Sequence, residues 1–234
     1  MGKVVFNLVK NIKGRDFTMS LYKKEYFGRL PELKKYAPEA FQAFIKFDSQ
    51  ALAAGKLSVK QKELIAVAVA HITGCPYCID LHVENAKKTE STREEVAEAI
   101  FVATALKAGS ALAHGVNALN AYDGNDDEEL YKTAYFARLK EFADLNGEAF
   151  KAFIDFDTKS LKAKDLTEKD KELIAVACAH TTGCPYCIDL HTKNAKKAGA
   201  DLEEISEAIF VAVALKAGSA LAHSVNALNA YDEK

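Results

Sequence analysis

The sequence predicts an all-α chain built twice, on three grounds. No segment alternates convincingly between apolar and polar residues with period two, whereas several apolar stretches reach helix length. Residues that start and stop helices bracket those stretches. The chain also matches itself at a shift of 109 residues, without an insertion, from Leu21/Leu130 to Asp123/Asp232. Residues 61–88 and 170–197 differ at five of 28 positions, and 95–123 and 204–232 at four of 29, so the unit is a duplicated domain and not a short solenoid repeat.

Pro38 and Asn146-Gly147 open helices near 39–54 and 148–163, and Gly55 ends the first. Phe41, Phe44 and Phe47, answered by Phe150, Phe153 and Phe156, fall at helical intervals and are expected in the core. Ser58 and Thr167 are the expected N-caps of helices at 59–72 and 168–181, which close at Gly74 and Gly183. Because Leu64 to Ala70 is apolar on every side, that helix is expected to be buried. The next helix starts at Cys75-Pro76 and runs to Lys87-Lys88. Proline suits its first position, and the lysines complement the negative end of its dipole. Thr92 with Glu95, and Asp201 with Glu204, cap an alanine-rich stretch at 93–122 and its counterpart, which Gly109 is expected to break in two. The plan is an arm at 1–20, a first repeat at 21–125 and a second at 126–234, joined by the polar turn Gly124-Asn-Asp-Asp-Glu128.

Composition narrows the function. Hydrophobic residues make up 49% of 234, ample for a core, and the net charge of −2 leaves no basic stripe for nucleic acid or an anionic membrane surface. No apolar run approaches the roughly 18 residues of a membrane span. The N-terminus has no secretory cleavage site, and five cysteines are too few for a disulfide-stapled secreted scaffold, so a cytoplasmic location is expected. Cys178 aligns with Val69 and reads as a small buried apolar residue.

The other four cysteines carry the chemistry. Glu63, Cys75, Cys78 and His82, in the spacing E-x11-C-x2-C-x3-H, return as Glu172, Cys184, Cys187 and His191. Residues at i, i+3 and i+7 share a helix face, which puts both thiols of each pair and the imidazole together. Cys75 at the N-cap and Cys78 one turn in lie at the positive end of a helix dipole, a setting that favours thiolate. His82 can take a proton from Cys78, and Glu63, in a nearly all-apolar helix, needs a partner such as that ring, which it would orient. The N-cap favours Cys75 as the exposed thiolate for exchange, while proximity to His82 favours Cys78 as the nucleophile. His71 and His180 either hydrogen-bond the last carbonyls of a helix or line the site, and His114 and His223 read as satisfied core histidines. Tyr77 and Tyr186, inside C-P-Y-C, either shape access to the site or pack beside it.

These residues resemble the thiol-containing branch of the carboxymuconolactone decarboxylase superfamily related to alkyl hydroperoxidase D, here in two tandem copies. The resemblance is strongest over 58–88 and 167–197. It implies an all-α fold, a peroxiredoxin-like oxidoreductase, and no cofactor or bound metal. Cys78 and Cys187 would attack peroxide, Cys75 and Cys184 would close the disulfides, and His82/Glu63 with His191/Glu172 would relay protons. The implied substrates are a hydroperoxide or small disulfide, and the implied reductant is a dithiol protein: thioredoxin-like, a peroxiredoxin or lipoyl-bearing. A homotrimer resembling a hexamer of single copies is the implied assembly. Decarboxylation belongs to members lacking the dithiol. Two other classes fit the residues: a zinc site from Cys75, Cys78, His82 and His71, and a non-catalytic redox switch.

Overall fold

The computed structural model describes residues 20–232, in which 3₁₀ turns and ten α-helices occur without a β-strand among the described residues. The helices are α1 (Leu33–Tyr36), α2 (Pro38–Leu52), α3 (Val59–Thr73), α4 (Pro76–Lys88), α5 (Arg93–Tyr122), α6 (Glu141–Leu145), α7 (Gly147–Leu161), α8 (Glu168–Thr182), α9 (Pro185–Lys197) and α10 (Leu202–Asp232). Helix αn of the first repeat therefore answers to the helix five places later. The arm predicted at 1–20 lies outside the described residues except for Ser20.

Local chemistry sets these boundaries. The Ser58 hydroxyl accepts from the Gln61 amide while the Gln61 side chain accepts from the Ser58 amide, a closed capping box at the start of α3. Thr92 and Glu95 repeat the device at α5, and Asp201 with Glu204 at α10. Gly74 and Gly183 end α3 and α8 in the left-handed region, at φ 71° and 72°, and there the chain turns directly into the dithiol helix.

Three expectations are corrected. Helix α5 runs unbroken through Gly109, because one glycine costs only about 1 kcal/mol within a helix that packs along much of its length. The phenylalanines at 41, 44, 47, 150, 153 and 156 are half-buried and not core: α2 and α7 are amphipathic helices lying on the surface of a neighbour. The third correction concerns apolar length: α5 and α10, at 30 and 31 residues, are long and apolar enough to cross a membrane by length and composition, since alanine raises mean hydropathy without a run of bulky residues. One face of each is nevertheless buried against the rest of the protein, including Val102, Leu106, Val211 and Leu215.

The segments between repeats and before α2 form 3₁₀ turns, Lys24–Glu32 and Thr133–Lys140, which no sequence signal marked. Neither has a side-chain N-cap, and a threefold turn has no 3.6-residue stripe to reveal it.

Packing does not follow the repeats. Helices α3 and α8 meet at the centre, bridged by a Gln61 amide donating to Asp170 at 2.7 Å. Each long helix packs on both central helices, and α2 lies on α10 while α7 lies on α5. The leading segment of each repeat is thus seated on the other repeat's long helix. Arg29 reaches Asn229 at 2.7 Å and Asp232 at 2.5 Å, and Arg138 makes the matching bonds to Asn120 and Asp123. Every such contact has its reciprocal, which is the pattern of a pseudo-two-fold pair of halves. A buried clamp fastens them. Lys62 is 3% exposed and holds Glu207 at 3.0 Å; Lys171 holds Glu98 at 3.0 Å in return. Glu207 also accepts from the Lys56 and Leu57 amides, so a carboxylate of one repeat grips a loop of the other.

Candidate active site

Helices α3 and α4 bring the four predicted residues of the first copy together. Glu63, in the first turns of α3, is 5% exposed and its Oε2 lies 2.8 Å from His82 Nδ1. The glutamate thus has the buried partner that its apolar helix requires. His82 sits one turn beyond Cys78 on α4, and both are nearly fully buried. Glu172 and His191 close at the same 2.8 Å, one turn from Cys187. A carboxylate on Nδ1 fixes the ring's orientation and leaves Nε2 as the nitrogen available for proton exchange.

Each cysteine pair is joined as a disulfide, Cys75–Cys78 and Cys184–Cys187, with Cα atoms 5.3 Å apart. Cys75 is the N-cap of α4, and its sulfur accepts from the Cys78 amide at 3.2 Å; Cys184 does the same with Cys187. The helix N-terminus therefore stabilises negative charge on Cys75, while Cys78 stands nearer the histidine and is the more exposed of the two.

Two further side chains complete the site, and sequence reasoning passed over both. Asn85 and Asn194 donate to the second oxygen of Glu63 and Glu172 at 3.4 Å, one turn beyond the histidines. Their signal was the same spacing logic, His at i and Asn at i+3, in both copies. Asp48 of α2 and Asp157 of α7 face the pair as well. Burial pushes the Asp48 carboxyl up; the charge on His82 pulls it down and Glu63 pushes it further up, and Asp157 is treated alike by His191 and Glu172. An aspartate on a separate amphipathic helix carried no sequence mark of the site it would face.

The remaining histidines have structural partners. His71 and His180 donate from Nδ1 to the Val67 and Val176 carbonyls at 2.8 Å, one turn back within their own helices and not to the last carbonyls. His114 and His223 are not core residues: half-buried, they meet Tyr131 and Tyr22 edge-on. Cys178 is fully buried, and burial alone drives its thiol far up.

Tyr77 and Tyr186 are each covered by the leading segment of their own repeat. Tyr22 and Phe27 pack on Tyr77 with ring centres 5.7 and 5.5 Å away, and Tyr131 and Phe136 on Tyr186 at 5.6 and 5.4 Å. Burial raises the Tyr77 hydroxyl pKa, Tyr22 and Tyr26 adding to it. The Lys23 amide draws it partly back without completing a hydrogen bond.

The model of the carboxymuconolactone decarboxylase family matches residues 38–121 and again 147–230. The chain belongs to the carboxymuconolactone decarboxylase family. Within it, the chain is 41% identical over 97 residues to a Paracoccus denitrificans protein named uncharacterized protein 4 in cox locus, covering 42% of this chain and 87% of that one. An uncharacterized protein of Haemophilus influenzae is 41% identical over 99 residues, 42% of this chain and 85% of its own. Each relative is thus close to a single repeat in length. A crystal structure named for a gamma-carboxymuconolactone decarboxylase subunit of Burkholderia xenovorans superposes with a TM-score of 0.64 over 89% of this chain and 95% of that one; at 20% identity it is a likeness of fold.

Proposed function

We propose that this family member is a thiol peroxidase of the alkyl hydroperoxidase D type, with one dithiol centre in each half. The observation that carries this reading is the buried Glu63–His82 pair, at 2.8 Å, one helical turn from a joined cysteine pair, repeated in full at Glu172, His191 and Cys184–Cys187.

The reaction starts from the reduced pairs. Cys78 thiolate, its proton taken by His82, attacks the outer oxygen of a hydroperoxide. The O–O bond breaks, sulfur gains that oxygen as sulfenic acid, and the departing alkoxide takes the proton back from His82 and leaves as alcohol. Cys75 thiol then condenses with the sulfenic acid, expelling water and forming the Cys75–Cys78 bond. A dithiol reductant, thioredoxin-like, peroxiredoxin or lipoyl-bearing, returns two electrons and two protons by thiol–disulfide exchange: one of its thiolates attacks Cys78, the more exposed sulfur, and expels Cys75 thiolate, the better leaving group at the helix N-terminus, and its second thiol then releases Cys78. Glu63 holds the ring and offsets its positive charge, and Asn85 holds Glu63. The assembly that accompanies this reading is a homotrimer of duplicated chains, measurable by light scattering, in which a monomer would contradict it.

Peroxide consumption with excess dithiothreitol tests the chemistry. Wild-type protein is expected to turn over and the Cys78→Ser plus Cys187→Ser protein to stop; unchanged turnover in that variant removes the proposal.

A further inference from the structure

A groove of about 570 Å³ lies between α5, the last turns of α7 and the loop that follows α7. Phe101, 55% exposed, and Phe156 line it, edge to face with ring centres 6.5 Å apart. The Lys171–Glu98 pair also lines it but is already satisfied: Lys171 donates to the Ser160 and Lys162 carbonyls, and Glu98 accepts from the Leu166 amide. The exposed cations of the lining are Lys159, Lys162 and Lys164. Lys159 has Asp155 at 2.6 Å and Lys164 has Asp165 at 2.8 Å, while the Lys162 ammonium meets no carboxylate among the described residues. Three lysines against two aspartates leave this side of the groove with one positive charge unmatched.

The equivalent place in the first half is different. Its groove, between α10, the end of α2 and the loop after α2, measures about 300 Å³. Phe47 and Phe210 meet there at the same 6.5 Å. Gln50, Ala53 and Gly55, however, stand where the second half has Lys159, Lys162 and Lys164, and beyond the Lys62–Glu207 pair that lining carries no charge. The aromatic pair and the buried clamp, which hold the halves together, are thus common to both. The lysines beside exposed phenyl surface belong to the second half alone, and the fold has no use for them.

We propose that the second-half groove binds an amphiphilic carboxylate, with its alkyl or aryl body on Phe101 and Phe156 and its anionic head at Lys162, Lys159 alongside. Apolar surface bordered by surplus positive charge complements a ligand that carries both features, and the volume lies in the range that takes up a small organic molecule. The site does not depend on the peroxidase reading and stands or falls without it.

The probes are octanoate and its neutral counterpart 1-octanol, titrated against the whole protein by ligand-detected nuclear magnetic resonance. Octanoate is expected to bind about tenfold more tightly than 1-octanol at low salt and to lose most of that advantage near 1 M. Lys159→Gln plus Lys162→Ala, which installs the first half's residues, should bring octanoate down to the affinity of 1-octanol and leave 1-octanol unchanged. Phe101→Ala should weaken both probes roughly tenfold, since it removes the surface that the body covers. All three positions are exposed, so these changes leave the core intact. Octanoate that does not bind, or that binds no better than 1-octanol at low salt, overturns the proposal. So does undiminished octanoate binding in either variant.

Discussion

Glu63–His82 and Glu172–His191 close at the same 2.8 Å, whereas the loops gripped across the molecule differ in the two halves. Glu207 accepts from the Lys56 and Leu57 amides at 2.8 and 2.9 Å; its counterpart Glu98 accepts from Asp165 and Leu166 at 3.3 and 3.0 Å. The cause is visible at the preceding residue. A Cβ on Gly55 would stand 2.1 Å from the Glu207 carboxylate, and the second half carries Lys164 at that place, so its carboxylate sits farther back. A clamp tolerates a few tenths of an ångström, because a hydrogen bond lengthens gradually. The Glu–His contact is the same in both halves because carboxylate and imidazole have to meet at a fixed geometry.

The helices bearing the dithiols differ at the surface too. Exposed charges on α4 are Asp80, Glu84, Lys87 and Lys88, balancing to zero, while α9 has Asp189 with Lys193, Lys196 and Lys197 and is net +2. Around one chemistry the duplication has thus kept two different exteriors.

Silencing one half at a time gives the largest effect. Cys78→Ser and Cys187→Ser are each expected to retain about half of the turnover per chain, and together none. A single variant with no remaining activity would show that the halves are not independent.

The clamp comes next. Glu207→Ala leaves Lys62 buried without its carboxylate and is expected to cost about 3 kcal/mol in urea unfolding, with Glu98→Ala costing less because its amide bonds are longer. Equal losses would break the asymmetry argued from Lys164. Burial pushes the Glu207 carboxyl up, but the Leu57 and Lys56 amides and Lys62 together hold it below its ordinary value. A folded pKa below the unfolded one gives stability that is present above pH ~4 and lost as pH falls through the folded value. Glu207→Gln should flatten that acid limb.

Asp48 and Asp157 predict the opposite slope. Their folded pKa values are raised by burial, so the folded state holds protons that the unfolded state has released, and stability falls as pH climbs from about 4 through the folded values. Asp48→Asn plus Asp157→Asn should remove this decline in thermal melts taken across that range. A decline of unchanged steepness would count against both aspartates facing the relay.

The smallest effect lies at the surface. Glu84→Lys makes α4 resemble α9 and should speed reaction of the first dithiol with the dianionic probe 5,5′-dithiobis(2-nitrobenzoate), in a protein whose second pair is serine. A rise of about fourfold at low salt, vanishing near 1 M, is expected of charges acting through water. An increase that survives high salt would point to a contact and not to a field.

Much of the fold was legible because its signals are local. Ser58, Thr92, Gly74 and Gly183 mark helix ends through bonds to residues three or four positions away, and such bonds need no tertiary partner. The Cys–Cys–His–Glu cluster was legible for a related reason: Cys75, Cys78 and His82 lie at the start of and along one helix, and only Glu63 had to be brought from the preceding one. Asp48 was not, since α2 meets the site only after the chain has folded back. Gly109 misled because glycine's helix penalty is a weak local preference, overruled by packing on both sides of α5.

By itself the sequence determined the helices, their caps, the duplication and the four residue types of each centre, all of which follow from spacings within a few turns. Only the tertiary structure decided which repeat covers which. Whether α2 lies on α5 or on α10 depends on matching surfaces more than a hundred residues apart, and two nearly identical long helices offer almost the same apolar face to either choice.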